Sequence, residues 1–589
     1  MGRRPAGPAR SVLLALSFIL LTVAAGCGPA QSTPASAGPA PAGANGEPYN
    51  LYAPINRPDV SGTHGAVVAG HPQAAAAGYD VLRAGGNAVD AAVTMAAVLA
   101  VVRPHMNGVG GDAFGLFYSA DTQEVYGLNG SGRAGALATP EFFAERGLDD
   151  VPGSGPLSIT VPGAVSAWAA ALERFGTISL EDALAPAIGY AENGFVVSRV
   201  LANDLTSATR LNDAGQAIYA PGGVTPQEGT LLRNTALAGT LKQIAAEGPK
   251  ALYGGSIGQV LASFLEAEGS YLRADDFVTH TASWVDPLSV EYTGRRIYSM
   301  PPNSQGVALL MQMAMAPHFP LQDMGHNSAD YLHTIVEMKK LAFADRDRWV
   351  TDPEFEPSRA ADMLDPSYLR TRAALLGART AESVAPGLGG VSTTFNPGDG
   401  AGDTVYLMAV DQDGNAVSWI QSLFGTFGSR VVEPTTGIVL QNRGGQFTLD
   451  REHPNVVAPG KRPYHTLTPH LVTDASDNSL RMTFGTPGGD GQTQTLFQVF
   501  NNIFLFGMSP QEAVEAPRYR SSSGTTLSLE SRIDPAVRVE LARRGHEVNV
   551  IDGWSGSTFG GAQVILVDRE MGTVRTGADP RREAYGIAY

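Results

Sequence analysis

The stretch "GAGDTVYLMAVDQDGNAV", residues 400–417, changes character at its centre. Up to Asp403 it is glycine-rich and has no hydrophobic period. From Val405 to Val410 it is apolar throughout, "DQDGN" then turns the chain, and a second strand-like run covers 416–422. The two runs read as strands joined by a hairpin turn. The residues before them, 386–403, are rich in glycine with two prolines and read as a loop. Thr404 thus stands where a flexible approach meets a rigid strand. A threonine hydroxyl is a poor nucleophile without a base beside it. If the peptide bond before Thr404 is cut, the freed α-amine lies within reach of the same residue's Oγ and supplies that base. On spacing alone, an ordinary loop-to-strand boundary is the better reading of this junction.

Working outward, residues 73–84 have a helical pattern and stop at Gly85-Gly86. Asn87 is placed to cap a second helix, "AVDAAVTMAAVLAVV", whose small residues predict close packing in a core. The glycines of "NGVGGDAFGLFYSA" superficially match a dinucleotide loop, but they precede a strand instead of following one, so that reading fails on context. Residues 158–194 are helical with short breaks, and 285–300 read as two strands around Thr293-Gly294. Ser328 caps a helix with Tyr331, Ile335, Met338 and Ala342 at helical spacing. Leu480, Met482 and Phe484 alternate as a strand, followed by "GTPGGDG" and a helical run over about 492–506. The mixture predicts a layered α/β body.

A chain of 589 residues exceeds what one ordinary core serves, so two domains or one large layered body are expected. The apolar share of 43% and charged share of 17% are those of a folded protein. A net charge of −16 and the lack of a basic stripe with interleaved aromatics exclude a nucleic-acid binder.

Arg3, Arg4 and Arg10 precede an apolar run, residues 12–25, that is too short for a comfortable membrane span. With "VAAGC" ending at Cys27, this predicts a signal peptide over 1–26. Cys27 resembles the lipidated cysteine of a bacterial lipobox. The expectation is an exported lipoprotein, periplasmic or at the cell surface, held to a membrane through Cys27 alone. As Cys27 is the only cysteine, an intrachain disulfide and a cysteine zinc cluster are both excluded. Residues 27–48, rich in Pro, Ala, Ser and Gly, read as a tether, with the folded body starting near Tyr49.

There is no HExxH motif, no Walker lysine motif and no G-x-S-x-G elbow, and the eleven histidines are scattered. No metal or organic cofactor is expected. The aspartates of "DQDGN" lack the remaining EF-hand ligand spacing and belong to a turn.

Several blocks occur together in one order: "GHPQAAAAGYDVLRAGGNAVDAAV", "VDPLSVEYTGRRIYSMPPNSQG", "DTVYLMAVDQDGNAVSWIQSLFGTFGS", "GIVLQNRGGQF", "KRPYHTLTPHLV", "FGTPGGDGQTQTLFQ" and "ADPRREAYGIAY". In order and spacing they resemble the γ-glutamyltransferase family from about residue 60 to the C-terminus. The resemblance implies an α+β, four-layer αββα N-terminal-nucleophile hydrolase sandwich, made as one precursor that cuts itself. It implies a large subunit, 49–403, and a small subunit, 404–589, that stay together as a heterodimer after cleavage between Asp403 and Thr404. Thr404 falls on the family's nucleophile, Ser422 on its second hydroxyl, and Gly488-Gly489 on the diglycine of its oxyanion hole. Glycines between a strand and a helix start fit that role, because they expose N–H groups where negative charge develops.

The implied chemistry is hydrolysis or transfer of γ-glutamyl groups from small amides such as glutathione, through an acyl-enzyme. The substrate-binding positions depart from the family pattern. An aspartate that grips the substrate's α-amino group is replaced by Gln446, which offers no charge. Charge-assisted hydrogen bonds are roughly twice as strong as neutral ones. A serine pair that helps bind the substrate carboxylate is replaced by His465-Thr466, and a glutamine by Arg443. The nearest counterpart of the family's carboxylate-binding arginine is Arg133 in "NGSGRAG", displaced along the chain. These changes open two alternatives: a glutaryl- or cephalosporin-type acylase or other amidase, and a catalytically inactive lipid-anchored binding protein.

Overall fold

The computed structural model describes residues 57–391, 402–551 and 554–589. The signal peptide, Cys27, the tether up to residue 48 and residues 392–401 of the approach loop lie outside the described residues. Two seven-stranded sheets dominate. One runs, in spatial order, Tyr585–Ala588, Ala66–Ala69, Asp403–Val410, Ala416–Phe424, Asp112–Ser119, Glu124–Gly130, Ser283–Val285. The other runs Val60–Gly62, Thr573–Ala578, Gln563–Asp568, Leu480–Gly485, His470–Asp474, Arg295–Ser299, Leu288–Tyr292. For the site we label β1 (Ala66–Ala69), β2 (Asp112–Ser119), β3 (Asp403–Val410) and β4 (Ala416–Phe424). The helices that frame it are α1 (Ala88–Val102), α2 (Gly306–Met315), α3 (Ala329–Trp349) and α4 (Gly491–Phe504).

Alternation along the strands builds three apolar layers. Val405, Leu407 and Ala409 of β3 face a helical layer that includes α1, as do Val417 and Trp419 of β4 and Ala113 and Phe117 of β2. Tyr406, Met408 and Val410, with Ile420, Phe114 and Leu116, point the other way and meet Leu471 and Ile565 of the second sheet. The outer face of that sheet, with Ile297, Met482 and Phe484, packs against α2, α3 and α4. This is the αββα sandwich that the resemblance implied, and burial on both faces explains the unbroken apolar run of β3 from Val405 to Val410. Asn87 caps α1 in a capping box with Asp90, and every residue of α1 is buried, as its small side chains required. Among the described residues no helix is long and apolar enough to cross a membrane.

The chain on either side of residue 403 is interlaced. In the first sheet, β3 and β4 lie between β1 and β2, all pairs antiparallel. In the second sheet, four strands from beyond residue 404 separate Val60–Gly62 from Arg295–Ser299. A cut between Asp403 and Thr404 therefore leaves two pieces that share both sheets and all three apolar layers.

Candidate active site

Thr404, Ser422 and Asp112 stand at the matching ends of β3, β4 and β2. Each shares parity with the residues that point between the sheets, and Ser422 is directly opposite Asp112 in the register. Between Asp403 and Val405 the pairing slips, so that Asp403 faces Phe424 and Val405 faces Gln421. Such a bulge re-aims side chains at a strand end. Here it brings Thr404 Oγ within 3.0 Å of Ser422 Oγ. The Ser422 hydroxyl donates onward to the Asp403 carbonyl at 2.7 Å and accepts the Phe424 N–H at 2.7 Å. The hydrogen bonds run in one direction, from Thr404 O–H to Ser422 to the carbonyl of the bond that would be cut. Phe424 pays for this with a φ of +79°, a left-handed conformation that costs a non-glycine residue roughly 1–2 kcal/mol.

The second sheet supplies the facing wall. Leu480–Gly485 ends, the chain turns through Gly488-Gly489, and α4 begins at Gly491. The φ values of +130° and +55° at the two glycines are closed to most side chains. Among the described residues neither glycine N–H donates a hydrogen bond. A Cβ added at Gly402 would lie 3.0 Å from Gly489 Cα and 3.1 Å from its N, so the uncut chain lies against the diglycine. Donors beside a helix N-terminus, free of internal partners, can stabilise an oxyanion.

A buried network fixes this wall. Gln305 donates from Nε2 to the carbonyls of Thr466 at 2.6 Å and Gly489 at 3.0 Å. Its Oε1 accepts from Arg346 of α3 at 2.9 Å, and Arg346 also binds Asp490 at 3.0 Å. Asp347 and Asp490 hold the buried Arg346 guanidinium above its ordinary value against the cost of burial.

The remaining positions separate into two groups. Arg443 and Gln446 open and close one 3-10 turn, Arg443–Gln446, whose three-residue period sets both on one side. Arg443 is fully buried, stacks over the Phe424 ring at 4.3 Å and donates from Nη1 to Thr466 Oγ1 at 3.0 Å. Among the described residues its Nε and Nη2 have no hydrogen-bond partner. Burial pulls its pKa down to about 10. Gln446 is buried, and its carbonyl accepts from Asn455 at 2.6 Å. Arg133 stands apart from this group: it binds Glu354 at 2.7 Å and the Gly460 carbonyl at 2.9 Å.

Sequence reading missed Asp112. Its Oδ1 accepts the Gly132 N–H at 2.9 Å, and its Oδ2 lies 3.3 Å from His465 Nε2 and 3.9 Å from Arg443 Nε. His465 Nδ1 accepts the Leu467 N–H at 3.2 Å, which places the imidazole proton on Nε2, facing Asp112. Burial, and then Arg443, hold His465 well below its usual range, so it is neutral. Burial pushes the Asp112 carboxyl up to about 7, against the pull of Arg443, the Gly132 and Gly163 N–H groups and Arg462. The signal was a single acid in the glycine and apolar run "NGVGGDAFGLF".

For a metal, the described residues bring together His333, Glu337 and His546, remote in sequence from these positions. His333 Nδ1 lies 2.9 Å from His546 Nε2, and Glu337 binds Lys340 at 2.9 Å along with Thr380 and Ala381. Lys340 already supplies the positive charge a cation would bring, and the cluster fastens residues 377–381 to α3.

Residues 74–589 match the family model described as gamma-glutamyltranspeptidase. The chain belongs to the gamma-glutamyltranspeptidase family. It is 38% identical to a glutathione hydrolase-like YwrD proenzyme of Bacillus subtilis over 90% of this chain and 99% of that protein. It is 36% identical to an oxamate amidohydrolase proenzyme of Klebsiella pneumoniae, again over 90% and 99%. The crystal structure of a cephalosporin acylase from Bacillus halodurans superposes with a TM-score of 0.85 at 35% identity, covering 92% of this chain and 99% of that one. As a member of this gamma-glutamyltranspeptidase family, the chain has the N-terminal-nucleophile fold and is an amidohydrolase.

Proposed function

We propose that Thr404 is the nucleophile of a self-cleaving amidohydrolase that removes a carboxylate-bearing acyl group from small amides by way of an acyl-enzyme. The observation that carries the reading is the chain of hydrogen bonds from Thr404 to Ser422 to the Asp403 carbonyl. In processing, Ser422 O–H polarises that carbonyl as Thr404 Oγ attacks it; collapse of the adduct breaks the C–N bond and frees the Thr404 amine, and water then hydrolyses the resulting ester, releasing Thr404 Oγ and the Asp403 carboxylate. In turnover, the amine takes the proton from Oγ, Oγ attacks the amide carbonyl, and the Gly488-Gly489 N–H groups face the developing oxyanion. The amine returns the proton to the leaving group, and water releases the acyl group; another amine in place of water would give transfer. No step needs a metal or an organic cofactor. This intact arrangement speaks for catalysis over a binding protein on an idle scaffold.

Intact mass and N-terminal sequencing of the purified protein test the nucleophile: a small fragment beginning at Thr404 is expected, and a single uncut chain would sink the proposal. For the acyl group, Arg443 offers two unpartnered buried N–H groups, which suits a carboxylate. Asp112, the acid nearest to it, already faces His465 and the Gly132 N–H, so an α-ammonium gains little there. We therefore rank glutaryl-type amides above γ-glutamyl amides such as glutathione, and relatives named as an acylase and an oxamate amidohydrolase fit that order. Rates on γ-glutamyl- and glutaryl-p-nitroanilide, measured side by side, decide it. We further infer export and lipid anchoring at Cys27; Cys27→Ser would move the protein from the membrane to the soluble fraction.

A further inference from the structure

Beside the proposed nucleophile lie one buried guanidinium and one buried carboxyl that do not form a hydrogen-bonded pair. At 3.9 Å, the approach of Arg443 Nε to Asp112 Oδ2 is too long for a hydrogen bond, and Nε and Nη2 have no other partner among the described residues. Both side chains are fully buried, so their charges are weakly screened. The other groups that face Asp112 are fixed in charge near neutrality. His465 is held neutral, its Nε2 proton directed at Asp112. Arg462 is bound to Glu354 at 2.6 Å, and the Tyr253 hydroxyl, held protonated by burial, donates to the Pro162 carbonyl at 2.8 Å. Gly132 and Gly163 present only N–H groups. On the far side of Arg443, Tyr464 is likewise kept protonated by burial, and Asp490 is tied to Arg346.

Resting on the acyl-amide reading above, we propose that Asp112 is a specificity-determining residue: it takes up a proton when the carboxylate of an acyl group docks on Arg443, which matches the pocket to monoamides of dicarboxylic acids. Two carboxylates beside one buried guanidinium repel each other, and one of them binds a proton to relieve this. The proton comes from water on docking and returns to it when the acid product leaves. A neutral acyl group brings no second charge and calls for no proton. An acyl group that carries both a carboxylate and an ammonium brings no net charge and calls for less.

The sign of the pH dependence follows. With the Asp112 carboxyl of the free enzyme pushed up to about 7 by burial, an incoming carboxylate pushes it higher. Preference for the anionic donor is full below that value and declines as pH rises through it, by about tenfold per pH unit. The Thr404 amine also titrates near this range, but it acts on every donor alike. The informative quantity is thus the ratio of kcat/KM for glutaryl-p-nitroanilide to that for butyryl-p-nitroanilide, followed from about pH 6 to about pH 9 with self-cleaved enzyme. In the wild type this ratio is expected to fall above neutrality; in Asp112→Asn it is expected to stay flat at its acid-side level. A flat ratio in the wild type, or the same decline in both proteins, overturns the proposal.

Calorimetry on the self-cleaved wild type gives a second readout that needs neither turnover nor a variant. Proton uptake on binding glutarate near pH 7, from buffers of different ionisation enthalpy, is expected to exceed that for butyrate by about half a proton. Equal uptake overturns the role of Asp112. If a self-cleaved enzyme hydrolyses neither anilide, the acyl-amide reading falls, and the calorimetric difference still decides what Asp112 does.

Discussion

At the proposed nucleophile, the two hydroxyls and the carbonyl are joined within the chain: Thr404 donates to Ser422, Ser422 to the Asp403 carbonyl, and the Phe424 N–H to Ser422. At the acyl end, one side chain away across the Phe424 ring, Arg443 keeps two buried N–H groups without partners, and Asp112 sits just beyond hydrogen-bond reach. A buried unpaired donor costs roughly 1–3 kcal/mol, more when charged. The first region is complete as folded, which suits a first reaction on its own backbone. The second would be completed by an anionic group. On the proposed reading, one site thus holds a part that acts on the chain itself and a part for another molecule.

The largest test of this contrast is Thr404→Ala, which removes the attacking Oγ. No fragment beginning at residue 404 should appear in the mass spectrum, and amide hydrolysis should be abolished, while the fold survives by circular dichroism. Partial cleavage of this variant would place the nucleophile elsewhere.

Next in size is Arg443→Met at the acyl end. Losing a buried charge-assisted contact costs on the order of 2–5 kcal/mol, which corresponds to about 30-fold to about 5,000-fold in kcat/KM on a glutaryl donor. Self-cleavage and hydrolysis of a butyryl donor should change little, since neither uses the guanidinium. If both donors lose equally, the two regions are not separable.

Ser422→Ala acts on the other side of the comparison. It deletes the donor to the Asp403 carbonyl but leaves nucleophile and acyl pocket in place. Removing one such donor slows a reaction by about 10²-fold or more, so the rate of fragment appearance should fall by that order. Its effect should be larger on processing than on the KM of any donor.

The two regions were also unequally legible in the sequence. A layered α/β body, the β3–β4 hairpin and the Asn87 cap follow from local pattern, since burial, turn chemistry and capping each leave a short-range signature, whereas the αββα order came only with the family resemblance. Thr404, Ser422 and Gly488-Gly489 lie in blocks that resemble the family, and the structure brings all of them to one end of the intersheet layer. Asp112 escaped because its role depends on register: only the pairing of β2 with β4 sets it opposite Ser422, and only the 3-10 turn at Arg443–Gln446 brings a guanidinium to it. Gln305 and Arg346, which brace the diglycine from α2's N-terminus and from α3, were invisible for the same reason. Arg133 shows the converse, a plausible position along the chain whose guanidinium is engaged by Glu354 and Gly460.

The smallest expected effect lies between the two regions, where the sheets meet beneath the nucleophile. Gly485 ends the strand that leads to the diglycine, and a Cβ there would fall 2.1 Å from Tyr406 Cε2. Tyr406 is fully buried, its hydroxyl in contact with Ser418, so the ring cannot swing aside as a flexible chain would. Gly485→Ala must therefore push the sheets apart locally, an overpacking cost of about 1–3 kcal/mol, seen as a Tm lowered by a few degrees. Because Tyr406 is two residues from Thr404 and Gly485 three from Gly488, the push separates nucleophile from oxyanion donors and leaves Arg443 where it is. The variant should lose kcat on glutaryl and butyryl donors alike, with their ratio unchanged. A changed ratio would mean that the intersheet spacing also sets the position of Arg443, and that the two regions are coupled.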